Sequence, residues 1–484
     1  MPKSEIITLQ LGNYANFVGS HFWNFQDELL GRSSSGEDSS AQQFNFDVLY
    51  RVGETAKGDP TYTPRTVVFD LKGSLGSLPC QDDPYSSSSS EFPPVVTWSG
   101  ETATYVSEPV PKNSFLQALD AEAEESASPE SSLAAQGPED ACQASGECGD
   151  DEVDLDEDDP MMEAAKGLED SVEYWTDYLK AQLHIRSIYQ LPGKWQDTAV
   201  FDGFGDGADV LASEDMREEA LDRVRFFLEE CDHLQGFHVL AEDQGGFGAV
   251  TSALLTHLRD DCPRLPVVLF SLRPPEVDAA FQADPAGEKR RWLSRGLAAS
   301  SLTSVASVYV PVGSRSVASA FQPSLHIRAG CRFHTSSVYA AAIEGATTPY
   351  RLHPTPPEGA AESAQGRMSL DEYVQLLRCR GGAPLAALAA SMPAAAVPQH
   401  AVDARMEQRG GPHAGASRGD CAGALSRSLV SLTDGVAACT STPLVRIMSL
   451  RCQPSRFGPM KPLEGSQTAN PEQWHFPSRI SCGA

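Results

Sequence analysis

Apolar positions in this chain come in short unbroken runs separated by stretches of helical spacing. Glu5–Leu11 is a mostly apolar run of strand length, and Gly12-Asn13-Tyr14-Ala15-Asn16 turns away from it. Phe17, Val18, Phe22, Trp23 and Leu29 then recur at helical spacing as far as Gly31. Arg65–Asp70 predicts a second strand, stopped by Lys72-Gly73-Ser74. Further on, Ala220, Leu221, Val224, Phe227 and Leu228 share one face of a helix over Glu214–Glu230. Asp232–Leu240 predicts a buried strand that runs into the glycine cluster Gly245-Gly246-Phe247-Gly248, which opens a helix over Ala249–Arg259. Pro266–Phe270 and Ser304–Val312 read as strands and Lys289–Ala299 as a helix. Nearly all-apolar strands alternating with helices predict a parallel sheet covered on both faces.

The pattern is broken in three places. From Gln81 to about Asp170 the composition changes to Ser, Pro, Ala, Asp and Glu, with Ser86–Ser90 unbroken, which predicts a disordered insert. An amphipathic helix is expected around Val172–Leu183, followed by a turn at Phe204-Gly205-Asp206-Gly207. Helices are expected near Ser336–Glu344 and Ser369–Cys379. Beyond Met392 the chain is rich in Ala, Gly, Pro and Ser, with β-prone runs at Leu429–Leu432 and Pro443–Leu450 and a polar tail from Ser466. The expected organisation is an α/β domain from residues 1–80 and 170–320, an acidic insert at 81–169, a smaller α+β part at 321–395 and a poorly ordered region at 396–484.

Charge and cysteine content narrow the function classes. The chain has 484 residues, 41% of them hydrophobic, enough to bury a sizeable core. Its formal net charge of −29 excludes a nucleic-acid binder, which needs clustered Lys and Arg. The acids concentrate between Ala118 and Pro160, ending in the run Asp150–Asp159 without one Lys or Arg. Such a run suits a solvated segment better than a docking tail. Eleven cysteines without a CxxC pair fit reduced thiols. Met1 passes almost directly into an apolar strand, and no apolar run reaches membrane-spanning length. A soluble protein with at most peripheral membrane contact is expected.

Three separated segments resemble tubulin, in the tubulin order. Glu5-Ile6, Gln10-Leu11-Gly12, Asn16, Val18-Gly19 and Phe22-Trp23 look like its opening strand, first nucleotide loop and first helix. Tyr62, Pro64-Arg65 and Asp70-Leu71 resemble the strand leading to its magnesium-side loop. Glu229–Phe237 is similar to the segment before its glycine loop. Trp23, Lys72-Gly73-Ser74-Leu75, Leu183–Ile188, Thr348–Leu352 and the long insert are closer to the Misato family of tubulin-related proteins. The resemblance implies a tubulin/FtsZ-like fold with a Rossmann-like parallel sheet. It also implies a guanine nucleotide, GTP or GDP, as the group its loops would hold.

The residues that would form that pocket are Gly12, Asn13, Tyr14, Asp70, Gly205, Gly207, Gly245, Gly246 and Gly248. Matched to tubulin's glycine loop, the run Gln244–Val250 keeps three glycines and replaces the hydroxyl donors with Phe247 and Ala249. The turn is therefore either a residual phosphate cradle or a device that closes strand against helix. Tyr14 either stacks on a guanine or fills the emptied pocket. Lys72 stands where tubulin has a metal-side acid, so no metal ligand set is expected; it either pairs with a phosphate or is a solvated loop residue. Asp371 in Ser369-Leu370-Asp371 could position a water, but Ser369 as an N-cap with Asp371 in the first turn explains the same residues. Gly330-Cys331-Arg332-Phe333-His334 sets a thiol near an imidazole in sequence only. No catalytic residue is assigned.

What the family implies is a non-enzymatic protein of the cytoplasm and the mitochondrial outer-membrane surface. Its expected effects are on mitochondrial distribution, fusion and morphology, and its expected folding partner is the cytosolic chaperonin that serves tubulin. The alternatives are an active GTPase that assembles into filaments, and an adaptor whose acidic insert is the working part.

Overall fold

A computed structural model describes residues 4–35, 41–54, 60–78, 110–127, 160–191, 201–275, 285–314, 317, 321, 325–353, 367–378, 383–390, 430–432 and 445–449. Its centre is a six-stranded parallel sheet ordered β5-β4-β1-β6-β7-β8. The strands are β1 (Glu5–Leu11), β4 (Thr66–Leu71), β5 (Ile188–Leu191), β6 (Leu234–Glu242), β7 (Val267–Leu272) and β8 (Val308–Val312). β2 (Tyr50–Glu54) and β3 (Pro60–Pro64) form a separate hairpin. The expected α/β class, a parallel sheet covered by helices on both faces, is what the chain adopts.

Both faces of the sheet are covered, so successive side chains of one strand enter two different cores. Ile6 of β1 packs on one side with α1 (Asn13–Ser35), α8 (Arg332–Thr347) and α9 (Leu370–Leu377). Ile7, Leu9 and Leu11 pack on the other with α5 (Glu214–Glu230), α6 (Gly246–Asp261) and α7 (Pro285–Val305). That division explains why β1 carries apolar residues on both of its faces. The buried Glu5 carboxylate accepts from Arg65 Nη2 at 3.1 Å and from the His233 backbone N–H at 2.8 Å, tying the starts of three neighbouring strands together.

Four expectations need correction. Two helices lie inside the supposed insert, α2 (Ser114–Ala127) and α3 (Pro160–Ser171), packed on each other and sending Phe115 and Leu168 into the core. Val172–Leu183 is a chain of turns, not a helix. The Asp177 carboxylate accepts from the backbone N–H groups of Glu173 (2.9 Å) and Tyr174 (2.7 Å), a local bond that competes with helix formation. Phe204–Val210 is a short helix, α4, not a turn. Finally, β10 (Val430–Ser431) and β11 (Val445–Ser449) flank β9 (Ala386–Ala390) in an antiparallel sheet. A five-residue run of Ala and Leu gave β9 no strand signature, so the two β-prone runs lacked a visible partner. The Ser86–Ser90 run, the Asp150–Asp159 run and the tail from Ser466 lie outside the described residues.

Candidate functional site

In an open parallel sheet, ligands bind beyond the carboxyl ends of the strands, beside the point where strand order reverses. Here that place lies beyond β4, β1 and β6, and the sequence-assigned residues gather around it. Gly12 turns out of β1 at φ +110°, which favours glycine, and its N–H bonds the Phe69 carbonyl at 3.1 Å. Asn13 and Tyr14 open α1, whose first N–H groups point into the crevice.

The Tyr14 donor is already taken. Glu242, the last residue of β6, sets its carboxylate at the start of α1 and accepts from the Tyr14 N–H at 2.6 Å. A Cβ at Gly12 would stand 2.7 Å from Glu242 Oε1. Burial of the carboxylate, with Asp70 nearby, raises the Glu242 pKa to about 7, against the pull of the Tyr14 bond. A helix N-terminus is a ready anion site, and here a carboxyl group of the protein itself occupies it.

Asp70, the penultimate residue of β4, is equally engaged. Its Oδ2 accepts from Asn16 Nδ2 (2.8 Å) and from the Trp175 indole N–H (2.9 Å), and its Oδ1 from the Leu71 N–H (2.8 Å). Burial raises its pKa, with these bonds working the other way. Lys72 is exposed on the following loop. Among the described residues no three His, Cys, Asp or Glu side chains gather as metal ligands.

The glycine turn is filled in the same way. Gly245 caps α6, and the Gly246 N–H bonds the Phe201 carbonyl at 3.0 Å, while the Gly248 N–H bonds Gly245 at 3.2 Å. The Phe201 ring meets Phe247 edge-on at 5.0 Å. Gly205 and Gly207 sit on α4. Gly205 is exposed, and Gly207 lies so close to α6 that a Cβ there would fall 1.8 Å from the Gly246 carbonyl oxygen. Gly207 thus lets two helices touch. Tyr14 fills space too: it is buried, bonds Thr335 Oγ1 at 3.1 Å and meets Tyr339 edge-on at 6.2 Å.

Next to Glu242, Asp243 is buried in an ion pair with Arg273 and accepts from the Tyr309 hydroxyl at 2.7 Å. Burial works to raise its pKa, but Arg273 wins and holds it below the ordinary value. His238 lies in the core between Phe22 and Phe270, and burial lowers its pKa to about 3, so it stays neutral. Ser369 caps α9 by accepting from the Glu372 N–H at 3.2 Å, and Asp371 accepts from Gln375, which is the capping alternative. His334 Nδ1 accepts from the Arg328 N–H at 3.1 Å.

A guanine nucleotide placed in this crevice would meet groups that are already engaged. Its phosphates would need the N–H groups that Glu242 and Phe201 occupy, and they would approach two buried carboxylates. Glu242 is the residue the sequence reading missed. An acid closing an apolar strand directly before a glycine turn was a usable signal, but its partner lies 228 residues away in the chain.

The fold and this crevice define a tubulin-like α/β protein. Residues 4–121 match the Misato Segment II tubulin-like domain and residues 164–352 match a tubulin domain. Protein misato homolog 1 of Mus musculus is 34% identical over 356 residues, covering 72% of this chain and 59% of the relative. Its Homo sapiens counterpart is 33% identical over 367 residues, with 73% and 60% covered. Protein DML1 of Gibberella zeae is 30% identical over 391 residues, with 80% and 67% covered. The chain belongs to the Misato family. The matched part spans about three fifths of the mouse and human relatives' length.

Proposed function

We propose that this chain acts without catalysis, as a tubulin-like protein that governs mitochondrial distribution, fusion and morphology. It would work from the cytoplasm, peripherally at the mitochondrial outer membrane, after folding with help from the cytosolic chaperonin. The mitochondrial role is proposed on the resemblance to the Misato family. The non-catalytic part rests on one observation: the Glu242 carboxylate holds the N–H of Tyr14 at 2.6 Å, where a nucleotide phosphate would need a donor.

The test is to denature the purified protein and run the supernatant on an anion-exchange column. No stoichiometric GDP or GTP peak is expected. A guanine nucleotide at near-equal stoichiometry, with phosphate release that rises with protein concentration, would overturn this reading in favour of a filament-forming GTPase.

A further inference from the structure

Helix α7 is turned inside out relative to an ordinary surface helix. The side packed on the core carries Ser294, Ala298 and Leu302, all buried. The opposite side carries its largest apolar residues: Trp292 is 52% exposed, Leu293 69% and Leu297 54%. Leu293 and Leu297 are one turn apart, and Gly296, one turn after Trp292 and Leu293, adds no side chain beside them. The same helix holds Lys289, Arg290, Arg291 and Arg295 against one acid, Glu288. Asp202 also approaches, 3.9 Å from Arg290 and 4.0 Å from Arg291. Arg295 lies over the Trp292 ring at 4.6 Å. In a chain of net charge −29, there is no Asp or Glu between Glu288 and Glu344.

We propose that the exposed side of α7 docks on an anionic lipid surface, with Trp292, Leu293 and Leu297 entering the headgroup boundary and Lys289 and Arg290 meeting the lipid phosphates. An exposed Trp and leucines among basic residues is the composition of helices that lie in a membrane interface. A two-fold contact between copies fits less well, since it would bring the same cations against one another. The proposal deepens the function above by naming the element that meets the membrane; among the described residues no helix is long and apolar enough to cross one.

The experiment is co-sedimentation of the full chain with vesicles of phosphatidylcholine alone or with added phosphatidylserine. Binding is expected to the mixed vesicles, to weaken with salt and to be absent on the neutral ones. The triple variant Trp292→Ala, Leu293→Ala, Leu297→Ala and the charge variant Lys289→Glu, Arg290→Glu should each bind roughly tenfold more weakly or worse. The charge variant alters only exposed side chains, so it decides the matter if the triple variant does not fold. Unchanged vesicle binding in the charge variant overturns the proposal. So does a wild-type dimer in sedimentation velocity that the triple variant converts to monomer. Failure of the wild-type chain to restore mitochondrial shape, with its vesicle binding intact, would leave the lipid contact standing and defeat the mitochondrial reading instead.

Discussion

At the scale of single residues, two carboxylates decide what this crevice is. A group with a raised native pKa stabilises the fold relative to its ionised form only while it keeps its proton. For Glu242 the ordinary value is 4.5 and the native value about 7. The native state therefore binds the proton more tightly than the unfolded chain. That contribution is fully present below pH 4.5, fades across the interval and is gone above about 7. Glu242→Gln keeps an acceptor for the Tyr14 N–H but carries no charge. Urea unfolding at pH 5 and pH 8 should show the variant gaining on the wild type as pH rises, by at most about 3 kcal/mol. An unchanged difference across that range would show that the carboxylate does not titrate there. Asp243 works in the opposite sense, because Arg273 holds it ionised. Arg273→Met should strand a buried charge and cost about 3 kcal/mol or more in the same assay.

At the scale of elements, the contact between α4 and α6 is the feature most sensitive to one added atom. Gly207→Ala drives a methyl into the Gly246 carbonyl and should destabilise by about 2–4 kcal/mol, read as a shifted denaturation midpoint. Gly205→Ala, two residues earlier and open to solvent, should be neutral or gain about 0.5–1 kcal/mol from helix propensity. Both glycines looked alike in sequence, as a Gly-Asp-Gly turn. Only the neighbouring helix separates them. The elements that were legible are those whose pattern carries its own answer: β1, β4, β6 and β7 as apolar runs, α5 by its stripe, and α9 by its cap. What was hidden depended on distant partners. The Asp177 turn needed two backbone N–H groups that no periodicity reveals, and β9 needed strands about 40 to 60 positions later in the chain. The site was half legible. Gly12 and Gly246 line the candidate crevice, while the residue that fills it, Glu242, was not singled out.

At the scale of the molecule, α2 and α3 change the meaning of the supposed insert. Arg328, on the approach to α8, holds α3 through Asp170 at 2.7 Å and Glu169 at 2.5 Å. Phe115 of α2 enters the same core as Trp23. Replacing residues 128–159 by a short Gly-Ser linker should leave the Tm within about a degree or two, because both helices remain. Deleting 117–160 removes most of α2 and should lower the Tm by a few degrees in calorimetry. If both deletions behaved alike, the packing of α2 on α3 would contribute nothing to stability.

β1 is the first strand made and lies between β4 and β6. At synthesis rates of about 5–20 residues per second, the edge that β6 will cover stays open for on the order of ten to fifty seconds after β1 leaves the ribosome. An apolar strand with one unpaired edge for that long is a template for pairing with other chains. The order of strands in the finished sheet thus writes a period of vulnerability into every round of translation, and it is a period in which a folding chamber has something to protect.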